Sequence, residues 1–348
     1  MGKRALVMSG GGARGAFEAA AAKYLIDQGA DFDVIAGVSV GALNAALLAQ
    51  GKGPEGLKWQ AQALVDLWLN ITGESDFFRG GLLRKIRALM DRTGMYDLEP
   101  TRRKIAERVN PDALRQSGRQ FRIGAVDIES GHYVVAGQGT ENIHAWILAS
   151  ASMPVAFPAV HIGGRQYVDG GIRNQTPLRE AFHALIDAGG GNPEDPDELY
   201  VVMASPLTLP PLERPVRNAI DVALRTLEIA VDEMLREDIL YAIAVNRQLR
   251  AGRDLEKKLG AVNLRPEAIS FAVNPLRPPR RRWVKIWGIA PSKAYQGYLD
   301  LSPAKIREAI AAGFEAAESP LDQDQLEKLL QRQGVMGGTG LEPVTSGM

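Results

Sequence analysis

Short apolar runs alternate with amphipathic stretches along most of this chain. Arg4-Ala5-Leu6-Val7-Met8 reads as a buried strand, after which Phe17, Ala20, Ala21, Tyr24 and Leu25 recur at helical spacing up to Gly29, a C-terminal stop. Phe32 to Ala36 is a second apolar, β-like run, and the alanine-rich stretch Ala42 to Gln50 is helical. Carried along the chain, the pattern predicts strands near residues 4–8, 32–36, 121–127, 132–136, 166–169, 199–204 and 269–273. It predicts helices near 14–28, 42–50, 55–70, 81–91, 98–108, 142–150, 177–188, 217–249 and 303–317. Such alternation implies an α/β fold, a sheet with helices on both faces. Gly189 to Pro196 is an exposed loop, but Leu199 to Ala204 reads as another core strand, so residues 1–320 are taken as one domain. Periodicity fades after Pro320, and 321–348 is read as a tail whose Gly-rich end, Gly334 to Met348, is expected to be disordered. No internal repeat is visible.

Composition narrows the class without choosing a chemistry. With 348 residues, a hydrophobic share of 45% and a charged share of 24%, the chain has the make-up of a globular protein with ample core. Lys+Arg and Asp+Glu are both 41, so no global field recruits nucleic acid. Cysteine is absent, which removes disulfides and thiolate metal sites and fits a reducing cytoplasm or a protein indifferent to redox state. No run approaches membrane-spanning length, and Ala5 to Met8 is too short for a signal-peptide core. Leu6 breaks the myristoylation pattern at which Gly2 hints. A cytoplasmic protein without metal or cofactor is the expectation.

Two glycine clusters carry the candidate chemistry. Ser39 lies in Gly37-Val38-Ser39-Val40-Gly41, between an apolar strand and a helix. A Gly-x-Ser-x-Gly on such a turn forces the serine into a strained, exposed position, with glycine required on both sides by crowding. The following helix directs its N-terminal amides toward negative charge developing beside the hydroxyl. Upstream, Gly10, Gly12 and Gly15 in Ser9-Gly10-Gly11-Gly12-Ala13-Arg14-Gly15 also fit Gly-x-Gly-x-x-Gly, the pattern of a dinucleotide site. That use needs an acid at the end of the second strand, and Asp31 and Asp33 precede that strand instead. The other use is an oxyanion hole, in which the amides of Gly10, Gly11, Gly12 and Ala13 stabilise the alkoxide of acyl transfer. Arg14 reads as a brace for this loop, a contact for an anionic headgroup, or a surface ion pair.

A general base is harder to find. Of the four histidines, only His183 could follow a distal acid, but Leu178, Phe182, Leu185 and Ile186 form the apolar face of its helix. His183 shares the polar face with Arg179 and Asp187, as on a solvated helix. The other acid in a telling context is Asp169, at a strand end before Gly170 and Gly171, where a tight turn presents its carboxylate.

Together, Gly10-Gly11-Gly12-Ala13-Arg14-Gly15, Gly37-Val38-Ser39-Val40-Gly41 and Asp169-Gly170-Gly171 resemble the motifs of patatin-like phospholipases. Ala149-Ser150-Ala151-Ser152-Met153-Pro154-Val155-Ala156-Phe157-Pro158, Asp127-Ile128-Glu129-Ser130-Gly131 and Ile172 to Leu178 extend the likeness, which runs from about Arg4 to Asp187. The resemblance implies a three-layer sandwich with a mostly parallel central sheet, strands and helices of 199–318 completing the domain. It implies a Ser39–Asp169 dyad in place of a triad, an acyl-serine intermediate, and phospholipid or lysophospholipid substrates. Gly15, Gly37, Gly41, Gly170 and Gly171 then act as supports. A lone carboxylate is a weak base at its ordinary pKa of about 3.9. It serves if it touches the hydroxyl directly and is partly desolvated.

Two basic stretches are candidates for peripheral lipid contact. Leu82 to Met90 reads as a lid or interfacial helix, or as a core-facing helix with a basic outer face. Arg277 to Trp287 interleaves cations with aromatics, a pattern shared by headgroup-binding, RNA-binding and plain solvated loops. The long helix from Arg217 to Leu249 is either an intersubunit contact or a buried flank. The competing readings of the whole chain are a nucleotide-binding module, a non-phospholipid carboxylesterase or thioesterase, and a regulatory scaffold that keeps the fold.

Overall fold

The computed structural model describes residues 2–80, 95–189, 195–209, 211–212, 215–217, 219–261, 283–295 and 297–336. Strand β1 (Arg4–Met8) leads through Ser9, Gly10 and Gly11 into a 3-10 turn (Gly12–Arg14) and helix α1 (Gly15–Asp27). Strand β2 (Val34–Gly37) runs into α2 (Val40–Leu48), and α3 (Gly53–Leu69) follows. The two-residue strands β3 (Arg79–Gly80) and β4 (Tyr96–Asp97) pair with each other, ahead of α4 (Glu99–Arg108) and α5 (Pro111–Gln116). Next come β5 (Gln120–Asp127), β6 (Tyr133–Gly137), α6 (Ile143–Ser150), β7 (Val160–Ile162) and β8 (Arg165–Asp169). A 3-10 turn (Gly170–Ile172), α7 (Leu178–Asp187), β9 (Glu198–Val202) and α8 (Ala219–Ala261) continue the chain. It closes with β10 (Lys285–Ile289), α9 (Pro303–Ala317), β11 (Leu321–Asp322) and α10 (Gln323–Met336).

Among the described residues nine strands form one sheet, in the order β11-β10-β9-β1-β2-β5-β8-β7 with β6 also on β5. Pairs from β10 across to β5 are parallel, and the outer pairs are antiparallel. The parallel strands β1 and β2 are buried along nearly their whole length, which is why they read as continuous apolar runs. Helices cover both faces. One core gathers Phe17, Leu48, Leu64, Trp68 and Phe121 with the alanines of α1, and the other gathers Val7, Leu185, Val201, Leu235, Ile239 and Leu326. The fold is thus the expected α/β three-layer sandwich.

Several element expectations shift. Helix α8 runs on to Ala261, and its buried Leu235, Ile239 and Ile243 make it a flank of the second core. Within the stretch Arg277 to Trp287, residues 283–287 are described, and Lys285 to Ile289 is a core strand parallel to β9, with Ile286 and Ile289 buried. The stretch after Pro320 forms β11 and α10, because Leu326 and Leu330, one helical turn apart, are both fully buried. Strand β7 and helix α5 fall where the periodicity gave no signal. The expected helix at 81–91 and strand at 269–273 lie outside the described residues, as does 337–348.

Register along β5 decides what faces Ser39. Arg122 and Ile123 pair with β2 on one edge and with β6 on the other. Two residues on, Ala125 pairs with Val134 of β6 and with Asp169 of β8. Strands β2 and β8 therefore share one edge of β5 and run toward each other, their C-terminal ends meeting there.

Candidate active site

Ser39 caps α2 in a backbone conformation that an L-residue seldom adopts, with φ 57° and ψ −129°. The turn is crowded enough to demand its glycines. A Cβ on Gly37 would collide with the Gly41 carbonyl, and one on Gly41 would press on the carbonyl oxygens of Met8 and Ser9. The Ser39 amide donates to Ser150 Oγ at 3.1 Å, and the Asp169 amide donates to the Ser152 carbonyl at 3.0 Å. The Ser/Ala-rich segment at the end of α6 thus holds both residues at once.

Asp169, 3% exposed, ends β8 directly beyond the end of β2. The Ser39 hydroxyl donates to its carboxylate, and Gly171 N–H donates to Oδ1 at 2.7 Å. Burial dominates these two interactions and pushes the Asp169 carboxyl up to about 7. Gly170 opens the 3-10 turn that follows and is packed against the Gly124 carbonyl.

The glycine loop lies on the other side of Ser39, where a Cβ added to Gly10 would be 3.0 Å from Ser39 Cβ. Gln175, 3% exposed, clamps the Gly10 peptide from both sides. Its Nε2 donates to the Gly10 carbonyl at 2.7 Å, and its own backbone carbonyl accepts from Gly10 N–H at 3.4 Å. Ala13 N–H donates to the Tyr298 carbonyl at 2.7 Å. Of the four expected hole donors, Gly10 and Ala13 are therefore engaged within the protein; Gly11 lines the larger of the two hollows that reach Ser39, and Gly12 lines the smaller. Gly12 has φ +59°, and a Cβ there would strike the Tyr298 carbonyl. Gly15 opens α1 against Val40 and Trp68.

Arg14 is no surface cation. It is 6% exposed, donates to Ser205 Oγ at 2.8 Å, pairs with Glu228 of α8 at 3.1 Å, and lies 4.3 Å from the centre of the Tyr298 ring. It ties the loop to α8. Beneath the loop, Glu18 is fully buried against Ser9 and accepts from Asn44 Nδ2 at 3.2 Å. Burial raises its pKa well above the usual carboxylate range, against the opposing hydrogen bonds from Asn44 and Ser9.

Among the described residues, neither hollow at Ser39 is lined by a histidine. His183 is exposed on α7 as its periodicity implied. Asp127 ends β5, where Oδ1 accepts from Glu129 N–H at 3.0 Å and Oδ2 pairs with Arg165 at 2.7 Å. Gln175, Ser150 and Ser152 stand inside motif-like segments without an assigned part, and Tyr298 carries no sequence signal at all. Among the described residues, no cluster of three or more His, Asp or Glu side chains could hold a metal ion, and no helix is long and apolar enough to cross a membrane.

A cleft of about 970 Å³ opens over Ser39, Asp169, Gly10, Gly11 and Gln175. Apolar side chains such as Leu212, Val216 and Leu224 line it together with Arg217, Lys293 and Lys305.

The structure of VipD from Legionella pneumophila aligns over 95% of this chain and 67% of its own, at 12% identity and a TM-score of 0.39. The heterodimeric ExoU-SpcU complex from the type III secretion system of Pseudomonas aeruginosa aligns over 80% of this chain and 67% of its own, at 17% identity and a TM-score of 0.31. No curated protein matches the sequence. The family model for patatin-like phospholipase matches residues 6–182, the stretch that carries the glycine loop, Ser39 and Asp169, and the chain belongs to that family.

Proposed function

We propose that this protein is a serine acyl-ester hydrolase acting on phospholipid or lysophospholipid acyl esters through Ser39 and Asp169. The observation that carries the reading is the meeting of β2 and β8 end to end, with a buried Asp169 carboxyl near pKa 7 against the Ser39 hydroxyl. A base with that pKa is matched to proton transfer at neutral pH. Asp169 takes the Ser39 proton as Oγ attacks the ester carbonyl, and the amides of Gly11 and Gly12 stabilise the alkoxide. As the carbonyl re-forms, the bond to the leaving alcohol breaks and Asp169 returns the proton to that oxygen. Water then repeats the sequence on the acyl-serine, releasing the acid. The nucleotide-binding alternative is disfavoured because the Tyr298 backbone sits against Gly12 and Ala13, where a diphosphate would need open amides.

The test is covalent and kinetic. Ser39→Ala is expected to fold, to lose fluorophosphonate labelling, and to retain no more than a few per cent of chromogenic-ester hydrolysis. Asp169→Asn is expected to lower kcat by about 10³-fold or more and to slow labelling. Full turnover in Ser39→Ala would assign the attack to another group.

A further inference from the structure

We infer that the acyl group of the substrate is short, roughly four to six carbons, and that Phe77 sets this limit while the alcohol half is large. The inference rests on the Ser39–Asp169 reading and follows from proton accounting. The proton that Asp169 takes from Ser39 must reach the leaving-group oxygen, so that oxygen has to face Asp169. Asp169 lines the cleft of about 970 Å³ and does not line the second hollow at Ser39. The alcohol half therefore occupies the cleft, and the acyl substituent points the other way, past Gly12 and Ala13.

What lies that way is small and apolar. The second hollow holds about 60 Å³ and is walled by Val40, Leu43, Trp68, Phe77, Phe157 and Leu301 among others. That is room for about four to six water-sized groups, at roughly 10–15 Å³ of such space for each. Beyond it lies a further hollow of about 30 Å³ that ends near Lys104 and Arg108. Leu43, Trp68, Phe77 and Thr101 line both hollows, so these side chains form the partition. Trp68 is fixed, 2% exposed, with Nε1–H donated to Asn44 Oδ1 at 3.0 Å. Phe77 stacks on it at 5.5 Å with the rings 20° apart, is only half-buried, and is the removable part of the wall. The cleft, by contrast, accommodates an alcohol with both an apolar body and a charged group, since Leu212, Val216 and Leu224 line it with Arg217, Lys293, Asp221 and Glu228. A glycerophospholipid with a short acyl chain at the reactive ester has these two halves.

The experiment measures kcat/KM for p-nitrophenyl esters from acetate to palmitate, and for 1-palmitoyl-2-acyl-phosphatidylcholine micelles with acetyl, butyryl, octanoyl and palmitoyl groups. Wild type is expected to favour chains of about four to six carbons over octanoyl and palmitoyl by about tenfold or more, the scale of forcing extra methylenes into a packed site. Phe77→Ala joins the two hollows and is expected to move the optimum at least two carbons longer in both series. Phe77→Leu, a milder change that keeps the fold, is expected to shift it less in the same direction. A wild-type optimum at octanoyl or longer overturns the inference, as does an unchanged profile in both Phe77 variants. Fluorophosphonate labelling of Ser39 separates the two levels. A labelled enzyme with a flat chain-length profile removes the acyl limit alone, whereas an unlabelled chain that hydrolyses no ester removes the hydrolase reading with it.

Discussion

In the proposed reaction Asp169 must be ionised to take a proton from Ser39, yet its surroundings favour the neutral form. Burial raises its pKa to about 7 against the opposing pull of Ser39 and the Gly171 amide. Ester hydrolysis measured as kcat/KM is therefore expected to rise with pH through a single ionisation near 7 and to level off above it. The same shift has a consequence for stability. The folded-state pKa lies above the unfolded value of about 3.9, so between about pH 4 and 7 the folded chain keeps a proton that the unfolded chain has lost. Stability from this group is present below about pH 4 and is lost as pH rises through about 7. Asp169→Asn, which cannot ionise, should then melt about 3–8 °C above wild type at pH 8, a gap that closes toward pH 4. Thermal melts of the two proteins across this range check the sign, and a wider gap at pH 4 than at pH 8 would refute it. Both residues are legible as candidates from their own surroundings, Ser39 from strand, turn and helix, and Asp169 from a strand end before two glycines. The raised pKa is not legible, because it depends on burial by elements distant in sequence.

That Ser39 and Asp169 meet is a property of elements. The alternation of apolar runs predicts β2, β5 and β8 as strands, but no local pattern says that β2 and β8 share one edge of β5 and converge upon it. Register of this kind is set by the whole sheet. The same holds for the loops. Gln175 sits between the 3-10 turn after Asp169 and the start of α7, inside a motif-like segment that assigns it no part. Only the fold brings its side-chain amide onto the Gly10 peptide. Through that clamp, the segment carrying Asp169 fixes the orientation of the loop carrying Gly11 and Gly12. Gln175→Ala frees the Gly10 peptide to rotate and is expected to lower kcat about 10–100-fold with KM changed less than about threefold, short of the loss from deleting an oxyanion donor outright. Steady-state kinetics on a short-chain ester resolve the split. A rise in KM with kcat intact would instead make Gln175 a substrate contact.

At the scale of the molecule, the sheet separates two cores with different tasks. The site is built at the C-terminal ends of β1 and β2, under helices of the first core, whereas α8, β10 and α10 fill the second. The elements hardest to read from sequence gather in that second half. The cation and aromatic pattern of Arg277 to Trp287 masks a strand whose buried Ile286 and Ile289 are interleaved with Lys285 and Trp287. In α10, two buried leucines among polar residues give too faint a stripe to distinguish a helix from a tail. Leu326 packs against Gly288 of β10, where a Cβ would come within 2.9 Å of Leu326 Cδ2, so α10 lies close against the sheet edge. Deleting that side chain leaves a cavity that the rigid sheet cannot close. Leu326→Ala is expected to destabilise the protein by about 2–5 kcal/mol in urea unfolding. Because the cavity lies in the second core, kcat/KM at 25 °C and the rate of fluorophosphonate labelling should stay within about twofold of wild type. A matching loss of turnover in the fully folded variant would show that the two cores are coupled through the sheet, and the division of tasks would have to be abandoned.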